Sequence, residues 1–503
     1  EQANINSNYV ELEIEAEFAD AVMFGKDEAT KREVSVNGIT KIHYFYEAKE
    51  LKAGSNTLKF TVISGEEKQT GSLILFNSNT PVSGAQFKTV LKSKIAAFNG
   101  LVQLSFPKGT NFMRNDSDAV DSFLSSERRI LFGIANNTDG RVDKYKHPAT
   151  YDGQTGNPNQ TIIADAKFLL IEPTGRFRPA GQLIWIDAGT ISNAETDLNK
   201  VNTGSGRLPY DEVTFYNRAL EDLVVPSQPG QLKLKYDPVL RDTASRYLTV
   251  YHYDIFEDST GVVKARWRNM GGVVDPKSKT ITVPLETFGY YQVMYMDNSF
   301  DDVNSHPWAR NILDTLYSKG IMAPKSPPAA FGPNDPIGRG EFTTMLVKIF
   351  DIPLHYTEDP TFTDVLRTDP SGTALYDYKY IETAAAAGIV RGSGGGKFQP
   401  DSTIRRQDAA VMIAKAANLK MNTDDVKILK ALQKSFTDAN AMDNYTIAAI
   451  EAVTKAGLMS GKENTLVAGT KASFRFDPLD SMTRAEAGAI AISILKQQKK
   501  IPK

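Results

Sequence analysis

Phe300-Asp301-Asp302-Val303, Phe362-Thr363-Asp364-Val365 and Phe436-Thr437-Asp438 open three segments that share one skeleton. Phe331-Gly332-Pro333, Phe398-Gln399-Pro400 and Phe476-Asp477-Pro478 close them. From the closing Phe to a following Arg the step is 8 residues each time, reaching Arg339, Arg406 and Arg484. An aromatic, Trp308, Tyr376 or Tyr445, stands 12 residues ahead of a glycine, Gly320, Gly388 or Gly457. Spacing this constant marks an internal repeat, in which one supersecondary unit stacks on its copies.

Each unit reads as helix, loop, helix. Trp308, Ile312 and Leu316 share one helical face before Gly320, as do Tyr376, Tyr380 and Ala384 before Gly388, and Tyr445, Ala449 and Val453 before Gly457. Glycine just beyond a helix takes the left-handed conformation that ends it. The second helix starts at the Arg. Thr483-Arg484-Ala485-Glu486 forms a capping box, and Ala487, Ile490, Ala491, Ile494 and Leu495 follow at helical spacing. One helix pair leaves its apolar face in water, whereas three packed together cover it.

An Arg at a helix start suits an anion. The free amides and the dipole favour negative charge, and the guanidinium fork grips a carboxylate or phosphate in two places. An aromatic nearby offers a face to a sugar ring. Together they predict a pocket for an acidic sugar. The plainer alternative is that the Arg pairs with a neighbouring acid and that the aromatics, at helical spacing, are core.

The three segments resemble S-layer homology modules, through Phe300-Asp301-Asp302-Val303, Trp308-Ala309, Gly320-Ile321 and Thr483-Arg484-Ala485-Glu486. The resemblance implies an exported bacterial cell-surface protein and an all-α pseudo-threefold bundle with grooves between modules at residues 299–359, 360–434 and 435–503. It also implies non-covalent binding of a secondary cell-wall polymer carrying pyruvylated N-acetylmannosamine, whose ketal carboxylate an Arg would hold. The polymer-binding residues it implies are Asp302, Trp308, Gly320 and Arg339, then Asp364, Tyr376, Gly388 and Arg406, then Asp438, Tyr445, Gly457 and Arg484.

The modules depart from the pattern in ways that predict unequal grooves. The first reads Gly338-Arg339-Gly340-Glu341 and the second Arg405-Arg406-Gln407-Asp408, so both lose the Thr cap and the second gains a cation. The first has Ala323-Pro324 where the others have Arg391-Gly392 and Ser460-Gly461. In the third, 39 residues separate the aromatic from the Arg, against 31 and 30 in the others. At least one groove is expected to be weak.

The region before the repeats reads as all-β. Val10, Leu12, Ile14, Ala16 and Phe18 alternate with Glu11, Glu13, Glu15 and Glu17, the period of a strand with one apolar and one carboxylate face. With turns at 50–56 and 64–65, residues 1–80 suggest a small Ig-like domain, its Glu row a solvated strand face. Residues 81–298 suggest a larger β-sandwich, with strands at 167–171, 182–186, 231–235 and 247–253 and a meander from Ala265-Arg266-Trp267 through Gly271-Gly272 to 279–283. Its end, from Tyr251 to Tyr290, is similar to β domains found just before such module triplets. Residues 141–160 read as a long polar loop, functional or mobile.

Composition narrows the function. A net charge of −2 argues against nucleic-acid binding, and the absence of cysteine removes disulfides and thiolate metal sites. No apolar run reaches the length of a transmembrane helix, so membrane insertion is not expected. The start of the chain lacks a signal peptide, which fits a mature fragment of a longer secreted cell-wall protein. The five histidines, at 43, 147, 252, 306 and 355, form no cluster in sequence. No nucleophile elbow, zinc-protease or phosphate-loop motif appears. No enzyme activity and no cofactor are expected, calcium excepted. Asp116, Asp118 and Asp121 alternate like calcium ligands but lack the Gly and closing Glu of an EF-hand.

The reading is therefore an S-layer or S-layer-associated structural protein, its modules bound to pyruvylated polysaccharide and its β domains self-associating in a two-dimensional lattice. The alternatives are an anchored fragment of a polysaccharide hydrolase whose catalytic domain lies elsewhere, or a surface adhesin.

Overall fold

The computed structural model describes residues 2–5, 10–36, 39–48, 50–77, 85–89, 94–98, 100–114, 123–124, 130–136, 144–147, 162–165, 175–190, 224–257, 263–327, 329–357, 360–367, 374–465 and 471–501. Two compact units divide the chain. One is β-rich and comprises Glu1–Pro173, Pro179–Arg241 and Thr249–Met294. The other is mainly helical and comprises Thr174–Arg178, Asp242–Leu248 and Tyr295–Lys503.

In the first unit, strands Val10–Glu15, Ile39–Ala48 and Thr30–Val36 form one antiparallel sheet. A second sheet is built on the hairpin of Gly54–Ser64 with Glu67–Asn77, to which Gln2–Ile5 adds in parallel. The alternating stripe works as the period predicts: Leu12, Ile14 and Ala16 pack on the core of Val22, Phe24 and Tyr44. Phe18 departs from it, 85% exposed past the strand end. Glu13 and Glu15 are exposed, and their carboxylates meet His43 and Lys41 of the neighbouring strand.

Two further antiparallel sheets follow. One orders Ile95–Ala97, Val102–Ser105, Gly230–Lys235, Thr280–Leu285 and Val273–Asp275. The other orders Val263–Asn269, Leu248–Glu257, Gly289–Met296, Phe177–Thr190, Ile130–Asn136 and Ala85–Thr89. Phe106, Phe112, Phe132 and Phe288 form an aromatic cluster, with ring contacts at centroid distances of 5.3–6.1 Å. The expected strands at 182–186, 231–235 and 247–253 lie within these sheets, except that Tyr247 ends a 3-10 turn, Asp242–Tyr247. Within the expected long loop, Lys144–His147 is a strand paired with Ile162–Asp165. The rest of that loop, the strand at 167–171 and the calcium candidates Asp116, Asp118 and Asp121 lie outside the described residues.

The second unit holds eight described α-helices: α1 Asp301–Asn304, α2 Arg310–Ser318, α3 Arg339–Ile349, α4 Tyr378–Ala386, α5 Arg406–Ala416, α6 Asp425–Ser435, α7 Ile447–Lys455 and α8 Arg484–Gln497. Gly320, Gly388 and Gly457 terminate α2, α4 and α7 at φ of 64°, 70° and 68°. The next amide reaches back to Leu316, Ala384 and Val453 at 2.9 Å in each case, the geometry only a left-handed residue permits. The helix α6 interrupts the expected helix–loop–helix alternation. Asp424 caps it at the Lys427 amide, and Ile428 and Leu432 bury its inner face.

Helices pack across modules in a cycle: α4 lies on α3, α7 on α5, and α2 on α8, joining the first module to the last. At that closure Gly488 of α8 leaves no room for a side chain. A Cβ there would stand 3.1–3.2 Å from Ile312, Leu313 and Leu316. The centre is a triangle of backbone hydrogen bonds: Ile337 donates to Met482, Met482 to Ile404, and Ile404 to Ile337, at 2.9, 3.2 and 3.3 Å. All three side chains are buried.

Lys319, next to the end of α2, is buried, and its ammonium donates to the Leu248 carbonyl at 2.7 Å. Burial pulls its pKa down to about 7, whereas an unfolded lysine keeps its proton to about pH 10.4. Between those values the unfolded state binds the extra proton, so stability rises with pH. Urea unfolding at several pH values from about 7 to 10 is expected to show that rise and to lose it in Lys319→Met. An unchanged slope in the variant would remove Lys319 as its source.

Candidate functional site

The first acid of interest is the Asp of each opening motif. Asp302 accepts the Phe331 and Gly332 amides at 3.1 and 2.8 Å. Asp364 accepts Phe398 and Gln399 at 2.7 and 2.8 Å, and Asp438 accepts Phe476 and Asp477 at 2.8 Å each. Both oxygens of each carboxylate are thus engaged within its own module, clasping the Phe-x-Pro turn. Some burial of Asp364 opposes its charge, but the two amides prevail and hold its pKa below the usual range.

The turn so fixed receives the arginine of the preceding module. Arg339 lies over the Phe398 ring at 4.7 Å, Arg406 over Phe476 at 5.2 Å, and Arg484 over Phe331 at 4.6 Å. Each also donates to the carbonyl three residues past the helix-ending glycine of that next module: Arg339 to Arg391 at 2.7 Å, Arg406 to Ser460 at 3.1 Å, and Arg484 to Ala323. The helix amides expected to be free for an anion are taken by the same turns. Arg339 and Gly340 donate to Ser402 and Pro400, Arg406 and Gln407 to Asp480 and Pro478, and Arg484 and Ala485 to Asp335 and Pro333, all at 2.7–3.0 Å. Whatever anion enters must therefore be met by the guanidinium and not by the first-turn amides.

The three arginines differ in counter-charge. Arg484 is fully buried, and its Nε and Nη2 meet the Glu341 carboxylate at 2.9 and 2.7 Å. Burial raises the pKa of Glu341 against the pull of Arg484. The Phe331 and Ala323 carbonyls take further Arg484 donors. The equivalent acid facing Arg339 is Asp408, one methylene shorter, and it accepts the Tyr445 hydroxyl at 2.5 Å. Arg339 makes no ion pair among the described residues, and its Nε is buried without a hydrogen-bond partner. The acid near Arg406 is Glu486, engaged by Lys462 at 2.8 Å and by the Thr483 amide at 3.0 Å. Arg406, 5% exposed, donates to the Phe476 and Ser460 carbonyls and makes no ion pair among the described residues. Desolvation lowers the pKa of Arg339 and Arg406, an index of cations removed from water without full compensation.

The aromatics do not belong to the helices. Trp308, Tyr376 and Tyr445 each stand two residues ahead of α2, α4 and α7. The core alternative fails for Trp308 and Tyr445, which are 51% and 65% exposed. Tyr376 is half-buried over Gly340, where a Cβ would come within 2.9 Å of its ring. A pocket of about 260 Å³ gathers Arg406 of the second module, Gly457, Ser460, Lys462 and Glu486 of the third, and Trp308 of the first. This groove therefore draws on all three modules, and an Arg shares it with the aromatic of a different repeat. Arg406 and Lys462 against Glu486 leave one positive charge in this pocket.

Several participants were silent in sequence. Gln407 is fully buried and bridges to Asp443, 2.6 Å from its carboxylate, a position held by Gly340 and Ala485 in the other modules. Lys462 and the small hairpin Lys462–Glu463 with Phe474–Arg475 carry the third module's extra length, whose tip at 466–470 lies outside the described residues. Gly392 and Gly461 mark real close approaches, since a Cβ would meet Phe362 at 3.0 Å and Phe436 at 2.6 Å. The capping box at Thr483 and Glu486 forms, while Gly338 and Arg405 give no side-chain cap.

Three repeats close into a ring, and the junction at Arg406 holds a pocket with an excess positive charge, which defines a repeat-built module with a cationic groove. The family is the S-layer homology domain, whose model matches residues 299–343, 368–410 and 435–487. The C-terminal region of this chain is a triplet of such domains, which makes it a cell-surface-anchored protein. It is 32% identical over 132 residues to an S-layer protein of Bacillus licheniformis, covering 26% of this chain and 14% of that protein. It is 28% identical over 203 residues to S-layer protein EA1 of Bacillus anthracis, covering 40% and 21%. It is 26% identical over 252 residues to an amylopullulanase of Thermoanaerobacterium thermosulfurigenes, covering 50% and 12%. That last match is longer than the stretch from Ser299 to Lys503, so it reaches into the β region. The chain spans between 12% and 21% of the length of these relatives. Among the described residues no helix is long and apolar enough to cross a membrane.

Breaking a buried ion pair by removing one partner costs about 3–5 kcal/mol, while replacing both partners with apolar groups is often neutral. Arg484→Met and Glu341→Leu are each expected to lower the stability of the chain by that order, and the double variant to recover most of the loss. Additive losses in chemical denaturation would show that the pair is not the coupling unit.

Proposed function

We propose that the chain is a non-enzymatic cell-surface structural protein, held to pyruvylated secondary cell-wall polymer by the grooves of Arg339 and Arg406, with the groove of Arg484 closed by Glu341. The observation that carries this reading is the difference in counter-charge. A guanidinium removed from water without a carboxylate attracts an external anion, and a ketal carboxylate offers two oxygens to its fork. Arg484 already has both. Trp308 at the Arg406 pocket and Tyr445 beside Arg339 offer ring faces to the sugar. Asp302, Asp364, Asp438 and the three helix-ending glycines act on the polymer through the shape of the turn they fix.

The β domains are read as the load that is held, supplying lateral contacts in a lattice. The amylopullulanase likeness favours a second reading, a wall-held segment of a polysaccharide hydrolase. Electron microscopy of the protein with calcium separates the two: sheets or tubes support the lattice subunit, and dispersed monomers the anchored passenger.

Binding to isolated wall polymer is expected to fall by about 1.5–3 kcal/mol in Arg406→Ala, the value of a charged hydrogen-bond pair. It is expected to persist in the Arg484→Met, Glu341→Leu double variant. Polymer stripped of pyruvate is expected not to bind. Full binding to the stripped polymer would sink the carboxylate mechanism.

A further inference from the structure

Beside the Arg406 pocket lies a second, larger one of about 450 Å³, lined by Tyr247, Tyr295, His306, Trp308, Asn311 and Asp314 among others. Trp308 is common to both. The larger pocket has the size of a small-molecule site, about 300–1,000 Å³, while the smaller falls just below that range. A polymer whose acidic residue sits at Arg406 must continue somewhere, and the exposed indole is the wall it would pass.

The lining is that of a sugar site and not of an anion site. Tyr247 and Tyr295 meet edge to face at 6.4 Å, and His306 stands edge-on to Trp308 at 5.0 Å. His306 accepts the Ala309 amide at 3.1 Å and meets Asn334 at 3.1 Å, which fixes the ring that supports the indole. The Tyr247 hydroxyl donates to Asn311 at 2.9 Å, leaving the Asn311 amide nitrogen to donate. Charges cancel locally: Arg310 faces Asp314 at 3.9 Å and Arg178 faces Asp297 at 3.5 Å. Asp314 is buried with the Ser299 hydroxyl on one oxygen, and burial raises its pKa. Aromatic faces, fixed polar groups and no net charge match the alternating apolar and hydroxyl surfaces of a neutral pyranose.

We infer that the Tyr247–Tyr295–Trp308 pocket is a second sugar subsite, taking a neutral residue of the same polymer whose acidic residue is held at Arg406. This rests on the wall-polymer reading above. In it, Trp308 divides two subsites, and Tyr247 and Tyr295, which precede the repeats in sequence, set how long a stretch of polymer is recognised.

The test uses the full chain and size-fractionated fragments of isolated wall polymer, titrated calorimetrically. Fragments of two or more residues are expected to bind at least about tenfold tighter than the single acidic residue, a difference of about 1.4 kcal/mol. Tyr295→Ala and Asn311→Leu are each expected to remove that gain and leave single-residue binding unchanged. Equal affinity for all lengths in the unaltered chain overturns the second subsite while sparing the wall-polymer reading. Failure of every fragment to bind overturns the wall-polymer reading, and the subsite with it. Variants that weaken short and long fragments by one common factor assign these residues to the fold and not to a subsite.

Discussion

Each arginine at a helix start is committed to the next repeat, and the helical unit depends on that commitment. The guanidinium covers the Phe of the following Phe-x-Pro turn and reaches the carbonyl beyond that module's glycine. The turn is ready for it because an Asp of its own module has fixed two successive amides. Repeated three times, the interaction runs from first to second, second to third and third back to first. A solenoid repeats the same unit with open ends that need caps. Here α2 on α8 removes both ends, and the triangle of Ile337, Ile404 and Met482 fixes the number at three.

The same interaction makes the grooves, and small differences in one side chain make them unequal. Two residues after each Arg stands an acid, Glu341, Asp408 or Glu486. Glu341 is long enough to reach the fork of Arg484 and neutralise it in the interior. Asp408 is a methylene shorter and is met instead by Tyr445. Glu486 has the length, but Lys462 and its own capping box hold it. Charge in a low-dielectric groove is costly unless balanced, so the module whose balance comes from within has least to gain from a ligand.

Earlier in the sequence, mostly antiparallel sheets supply a second unit of a different kind. The strand-face glutamates meet Lys41 and the buried His43. The exposed Lys41–Glu15 pair adds little stability. The chain is similar over part of its length both to S-layer proteins and to an amylopullulanase.

The sequence by itself determined the repeat, the helix-ending glycines, the capping box at Thr483 and the β character of the first half, because each depends on backbone geometry set within a few residues. It left α6 unseen, although Asp424 and the pair Ile428 and Leu432 carried a cap and one buried face. It placed Trp308, Tyr376 and Tyr445 on helices by spacing, when they stand just outside them. Only the tertiary structure decided which arginine meets which aromatic, which amides are already taken, and which acid closes which groove. Those outcomes turn on contacts between residues some 50 to 160 positions apart, from Arg339 with Arg391 to Arg484 with Ala323. A repeat that closes on itself assigns neighbours by rotation about an axis, and a linear spacing rule carries no information about that axis.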